Sequence, residues 1–231
     1  MLTGGITDIT VAKVLDPFGK DEWLYGEIRK YCRDQMLDVL EHTSQKFPNA
    51  LIAVVGYFPM IGPKTRGSRL FNAWLESMNY PRFSKPFVNN VITRRFMSGI
   101  RKKGIVRSRI WVAESNRNLQ EAVDLLNEKV GRRQAVFVPS PFTEDHSLET
   151  KETLLFRMAK KGRVEDPLYD MRRSQCRESL PELKAATGID YPIRLCEIAA
   201  IGHPNAAGAR AYAEAIRSAL APIFRRENST T

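Results

Sequence analysis

Histidine and cysteine are scarce, three of each among 231 residues, and their scarcity excludes whole classes of chemistry. His42, His146 and His203 are too scattered along the chain to suggest a metal-ligand set, so neither a metal nor any other cofactor is expected. Cys32, Cys176 and Cys196 show neither metal spacing nor the density of a disulfide scaffold. A Cys176–Cys196 bridge is open to an exported protein; otherwise these are buried thiols. No run of about eighteen apolar residues exists, which excludes a membrane-spanning helix. The stretch Met1-Leu2-Thr3-Gly4-Gly5 has neither a basic nor an apolar signal region, so secretion is unsupported and the cytoplasm is the default expectation. Internal repeats and low-complexity tracts are also missing.

What remains is an ordinary globular composition, 43% hydrophobic and 27% charged, long enough to bury a full core. Residues 1–224 are expected to form one domain, with 225–231 a frayed tail. The formal charge of +10 is unevenly spread. Between Val88 and Val112 lie Arg94, Arg95, Arg101, Lys102, Lys103, Arg107 and Arg109 without a single acidic residue. Such a patch suits nucleic acid, an anionic lipid or an acidic partner, yet it lacks the aromatic and glycine signatures of a named nucleic-acid module. A solvated basic surface with no dedicated ligand is the plainer account of it.

The order of elements points to an α/β protein. Leu2 to Ile9 reads as the tail of a strand entering a glycine turn, and Trp23 to Glu41 as a helix with Trp23, Ile28, Tyr31, Cys32, Met36, Val39 and Leu40 on its apolar stripe. Ala50 to Tyr57 is almost continuously apolar, the pattern of a strand buried on both faces of a parallel sheet. It runs into Gly56-Tyr57-Phe58-Pro59, a loop leaving the carboxyl edge, where ligands of open α/β sheets bind. Residues 64–107 read as an irregular basic insertion or lid. Ser108 to Val130 follows as a helix burying Trp111, Ser115, Leu119, Ala122, Val123 and Leu126, and Gln134 to Pro139 is a second buried strand. Glu144 to Gly188 is polar and helical in patches, with Leu154, Leu155 and Met158 as a small apolar stripe. The last helix opens at Asn205, with Ala209, Tyr212, Ala213, Ile216 and Leu220 on its buried face.

His203 is the last loop residue before that helix. The position fixes its backbone and leaves the ring free to reach a cleft, as a general base requires, while a merely local capping role fits the spacing too. Three separated motifs then line up. Gly5-Ile6-Thr7-Asp8, Gly56-Tyr57-Phe58-Pro59 and Gly202-His203-Pro204-Asn205-Ala206-Ala207-Gly208 resemble, in order, three segments of the SGNH (GDSL-type) esterase and lipase family. These are its Gly-x-Asn-Asp turn, a strand-end Gly-Tyr-Tyr/Phe-Pro, and the His-Pro-Asn-x-x-Gly segment of its catalytic histidine.

The resemblance implies a flavodoxin-like three-layer fold, a parallel sheet with helices on both faces, and ester hydrolysis with His203 as general base. Gly5, Thr7, Asp8, Tyr57 and Asn205 would line the oxyanion and substrate side, and the substrate would be a small-molecule ester or a lipid. The family's nucleophile serine belongs to a turn after the first strand, and no matching turn occurs here, so the chain reads as such a hydrolase with its first strands missing. Thr7 stands where the family has an asparagine, and Ala200 where its acid is expected; in some members a backbone carbonyl orients the imidazole instead. The alternative is a non-catalytic α/β protein that binds anionic lipid or nucleic acid through residues 94–109.

Overall fold

A computed structural model describes residues 1–65, 91–159 and 163–227, with the side chains of Thr7, residues 91–97 and residues 226–227 outside that description. The chain is a mixed α/β protein, mainly helical, around a small parallel sheet. Helices α1 (Ile6–Ile9) and α2 (Val11–Val14) are single turns. A long helix follows in three parts, α3 (Asp21–Arg29), a π-helical stretch (Lys30–Asp34) and α4 (Gln35–Lys46). Strand β1 (Ile52–Val55) leads to α5 (Val91–Val130) and then β2 (Ala135–Val138). After a 3-10 turn at Glu144–His146 come α6 (Tyr169–Thr187), α7 (Ile193–Glu197) and α8 (Ala206–Glu227).

β1 and β2 pair in parallel with Ile52 opposite Ala135 and Val55 opposite Val138, as two strands joined through a helix should. On the other side of β1, Leu2 makes a parallel bridge to Val54: its N–H donates to Ala53 O at 2.8 Å and its carbonyl accepts from Val55 N–H at 2.9 Å. The expected strand tail is therefore present as a single bridged residue. Alternate strand residues face opposite ways. Ile52, Val54, Ala135 and Phe137 join Leu24, Ile28, Cys32, Met36, Leu40, Trp111, Leu119 and Leu126 in one apolar cluster. Ala53, Val55 and Val138 are buried on the other row, and α8 packs against β2.

Several sequence expectations need correction. Trp23 and Val39 are exposed; the buried stripe is Leu24, Ile28, Cys32, Met36 and Leu40, because the π-helical stretch inserts an extra residue and shifts the phase of the stripe. The helix expected from Ser108 begins at Val91, so the carboxyl part of the supposed irregular insertion is the first half of α5. The buried face named for Ser108 to Val130 is buried throughout. The rest of that supposed lid, 66–90, lies outside the described residues. Leu154, Leu155 and Met158 are not helical: Leu155 bridges Pro204 and Met158 bridges Val164, both antiparallel. In α8, Ala209 and Ala213 are exposed, while Ala211, Tyr212, Ala215, Ile216, Ala219 and Leu220 are partly buried.

Arg107 is the largest change of role. It is 3% exposed, and its guanidinium donates to the carbonyls of Val14 (2.9 Å), Gly19 (3.1 Å) and Lys13 (3.2 Å) and to Asp21 Oδ1 (2.6 Å). It is a structural bolt, not part of a basic surface: a planar donor fork can serve several carbonyls at once. Arg101 donates to the carbonyls of Pro63 and Thr65, and Arg109 clasps Glu144 with two bonds at 2.5 and 3.0 Å. Lys102 and Lys103 are exposed, and the side chains of Arg94 and Arg95 lie outside the described residues.

Candidate functional site

The loops that leave β1 and β2 at their carboxyl ends carry Tyr57-Phe58 and Ser140-Pro141-Phe142. Phe58 and Phe142 pack ring to ring at 5.1 Å, and Phe142 meets Tyr212 of α8 at 4.9 Å. Tyr212 ties both strand ends together, its hydroxyl donating to Gly56 O at 3.1 Å and lying 2.8 Å from Ser140 Oγ. Ile201, two residues before His203, packs on the same aromatic group.

The His203 loop is locked through its backbone. His203 N–H donates to Ala200 O at 3.0 Å, and its carbonyl accepts from Phe156 N–H at 2.8 Å. Gly202 N–H returns a bond to Phe156 O, and Asn205 N–H one to Leu154 O. The imidazole itself is exposed and hydrogen-bonds no described side chain. Asn205 Oδ1 accepts from the Ala207 and Gly208 N–H groups, both at 3.0 Å, so its amide oxygen is spent as the helix cap. The motif's glycine has a steric reason as well. A Cβ on Gly208 would collide with the Leu154 carbonyl and come within 2.9 Å of the Phe142 ring. A glycine is needed for the first turn of α8 to lie against residues 154–156.

The amino-terminal turn forms a second assembly. Gly5 has φ 111°, a conformation open to glycine, and a Cβ there would approach Cys32 Sγ to 2.7 Å. Ile6 N–H donates to the Tyr57 hydroxyl at 3.1 Å, so the turn and the β1 loop are joined. Burial pushes the Tyr57 phenol up to about 12, and burial with the nearby Asp8 charge does the same to Cys32. The side chain of Thr7 lies outside the described residues.

Two assemblies thus share the carboxyl edge, one around Tyr57 and the Gly5 turn, the other around Phe58, Phe142 and the His203 loop. Ser140 is not poised as a nucleophile, since its hydroxyl accepts from Phe142 N–H and meets Tyr212. Beside the His203 loop lies a polar depression of about 180 Å³, lined by Lys151, Thr153, Leu155, Phe156, Arg157, Glu165 and Asn205.

Sequence reasoning missed two residues of this edge. Asn116 holds the Tyr57 peptide at both ends: its Oδ1 accepts from Tyr57 N–H at 2.7 Å and its Nδ2 donates to Tyr57 O at 3.1 Å. Tyr212 was read as a core residue, and its linking hydroxyl went unseen. The only signal for Asn116 was a polar residue flanking the buried stripe of α5. Compared with known proteins, the chain matches no family model, no curated protein and no solved structure.

Proposed function

We propose that this chain is the histidine-bearing part of an SGNH-type serine ester hydrolase, flavodoxin-like in fold, with His203 as its general base. One observation carries the reading: an exposed imidazole on a loop whose backbone is bonded on both sides and whose Ile201 packs on the aromatic residues that follow β1 and β2. A general base needs a backbone held by its scaffold and a ring open to substrate, and His203 has both. In this reading Gly5 and the Ile6 N–H beside Tyr57 lie on the oxyanion side, and the polar depression at Asn205 receives part of the substrate.

No serine hydroxyl among the described residues bonds His203, so hydrolysis by the chain alone should be slow, sustained by binding and base catalysis without a nucleophile. The test is p-nitrophenyl acetate hydrolysis by the chain and by His203→Ala, with circular dichroism to confirm that both fold. A fall of roughly a hundredfold in the variant is expected for loss of a general base. Equal rates would overturn the assignment.

A further inference from the structure

Arg107 does more than fill a gap: by bonding the carbonyls of Lys13, Val14 and Gly19 and the carboxylate of Asp21, it bolts the elbow from α2 to α3 onto α5. The outer side of that elbow exposes large apolar side chains among charged ones. Val11 is 46% exposed, Phe18 52%, Trp23 40% and, next to the bolt on α5, Val106 50%. Cations are interleaved with them. Lys13 Nζ stands over the Trp23 ring at 5.8 Å, Lys20 adjoins the Arg107-bound Gly19, and Lys102 and Lys103 are exposed one turn before Val106. The nearby acids are Asp16, Asp21 and Glu22: Asp21 holds Arg107, Asp16 Oδ1 accepts from Phe18 N–H at 2.9 Å, and Glu22 is exposed beside Trp23.

We propose that this elbow is a peripheral docking surface for anionic phospholipid bilayers. Phe18, Trp23, Val11 and Val106 enter the headgroup boundary, and Lys13, Lys20, Lys102 and Lys103 meet lipid phosphates. Two observations favour a bilayer over a nucleic acid. Half of the exposed apolar set is aliphatic, which gains by burial in acyl chains and cannot stack on bases. The available cations are lysines, point charges suited to a fluid anionic surface, while Arg107 is buried and Arg101 and Arg109 already bond the protein's own carbonyls and Glu144. No described helix is long and apolar enough to cross a membrane, so the association is peripheral. The proposal is independent of the hydrolase reading, because it uses neither His203 nor the carboxyl edge.

The experiment is co-sedimentation of the full chain with vesicles of phosphatidylcholine alone and of phosphatidylcholine mixed with phosphatidylglycerol. Binding is expected only to the mixed vesicles. Lys102→Gln with Lys103→Gln should weaken it roughly thirtyfold, and Phe18→Ser with Val106→Ser by roughly tenfold or more. All four sites are exposed, and circular dichroism of each variant checks the fold. Absence of binding to the mixed vesicles overturns the proposal. So does binding that loses affinity with the lysines and is indifferent to Phe18 and Val106, since that is bulk attraction by a protein of charge +10. Displacement from the vesicles by a single-stranded oligonucleotide at equal concentration also overturns it, in favour of a nucleic-acid surface.

Discussion

From Ile9 to Ala135 one cluster of buried side chains runs without interruption, with Leu24, Ile28, Leu40, Trp111 and Leu119 wholly inaccessible to solvent. After Ser140 the apolar residues separate into two small clusters, one around Phe142, Leu148 and Leu155, the other around Val164, Tyr169 and Ala200. That carboxyl-terminal part leans on other devices: backbone bonds between 154–156 and 202–205, the Cys176–Cys196 disulfide, and Glu197 among Arg173, Arg177 and Arg194. The first region is stabilised mainly by burial, which is cooperative and little affected by charge screening. The second depends on polar and covalent links, which respond to pH and redox state. A site resting on the second region is therefore easier to perturb than the core below it.

The contrast should be largest for core truncation. Leu24→Ala or Leu119→Ala removes a fully buried side chain and should cost about 2–5 kcal/mol, read as a lower urea midpoint. A cost below about 1 kcal/mol would mean the first region is not the stable half. Next in size is the disulfide. It closes a sequence separation of 20 residues, and replacing both Cys176 and Cys196 by serine should cost about 3 kcal/mol. The loss should be local: hydrogen exchange should speed up across α6 and α7 while the amides of α3 and α5 keep their protection. Equal loss in both regions would show them to be one cooperative unit.

The two regions should also fail at opposite ends of the pH scale. Glu144 is held below the usual carboxylate range by its bond to Arg109, so its contribution is present above the unfolded value of about 4.3. It is lost as pH falls through the lowered folded value. Asp166 behaves alike: burial pushes it up, and the Leu168 N–H and Arg172 more than reverse that. Cys32 and Tyr57 in the first region, by contrast, and Tyr212 at the seam between the two, are pushed up to about 12, chiefly by burial. Their contribution is complete below the unfolded values, about 8.5 for a thiol and about 10 for a phenol, and disappears as pH climbs toward the folded ones. Acid should thus loosen 140–170 first, and alkali should open the core around Cys32 first, which exchange measured at both extremes will resolve.

How far the sequence announced this arrangement depends on the kind of interaction. Strands β1 and β2 and the buried face of α5 were legible because burial imposes a period, and Trp111, Ser115, Leu119, Ala122, Val123 and Leu126 keep it. The stripe of α3 and α4 was misread at Trp23 and Val39 because a π-helical stretch shifts the phase and leaves no mark in composition. The burial of Arg107 was invisible for another reason: its partners are carbonyls of Lys13, Val14 and Gly19, about ninety positions away, and a backbone acceptor has no sequence signature. Similarly, the Gly5 turn and the His203 loop could each be located from their residues. How the two are packed relative to each other is a matter of tertiary structure, which motif order does not encode.

The smallest effect concerns the seam between the regions. Tyr212 belongs to α8, yet its hydroxyl reaches Gly56 O beyond β1 and Ser140 Oγ beyond β2. Tyr212→Phe keeps the ring contact with Phe142 and removes only those bonds, so its cost should be about 1 kcal/mol, the net worth of a partly buried hydrogen bond. Position matters here more than size. If Tyr212 couples the regions, combining Tyr212→Phe with Leu24→Ala should give less than the sum of the two costs, because part of what each removes is the same cooperative link. Strict additivity in a double-mutant cycle would instead show that α8 rides on a finished core, and that a variant of the His203 loop can be interpreted without reference to what lies beneath it.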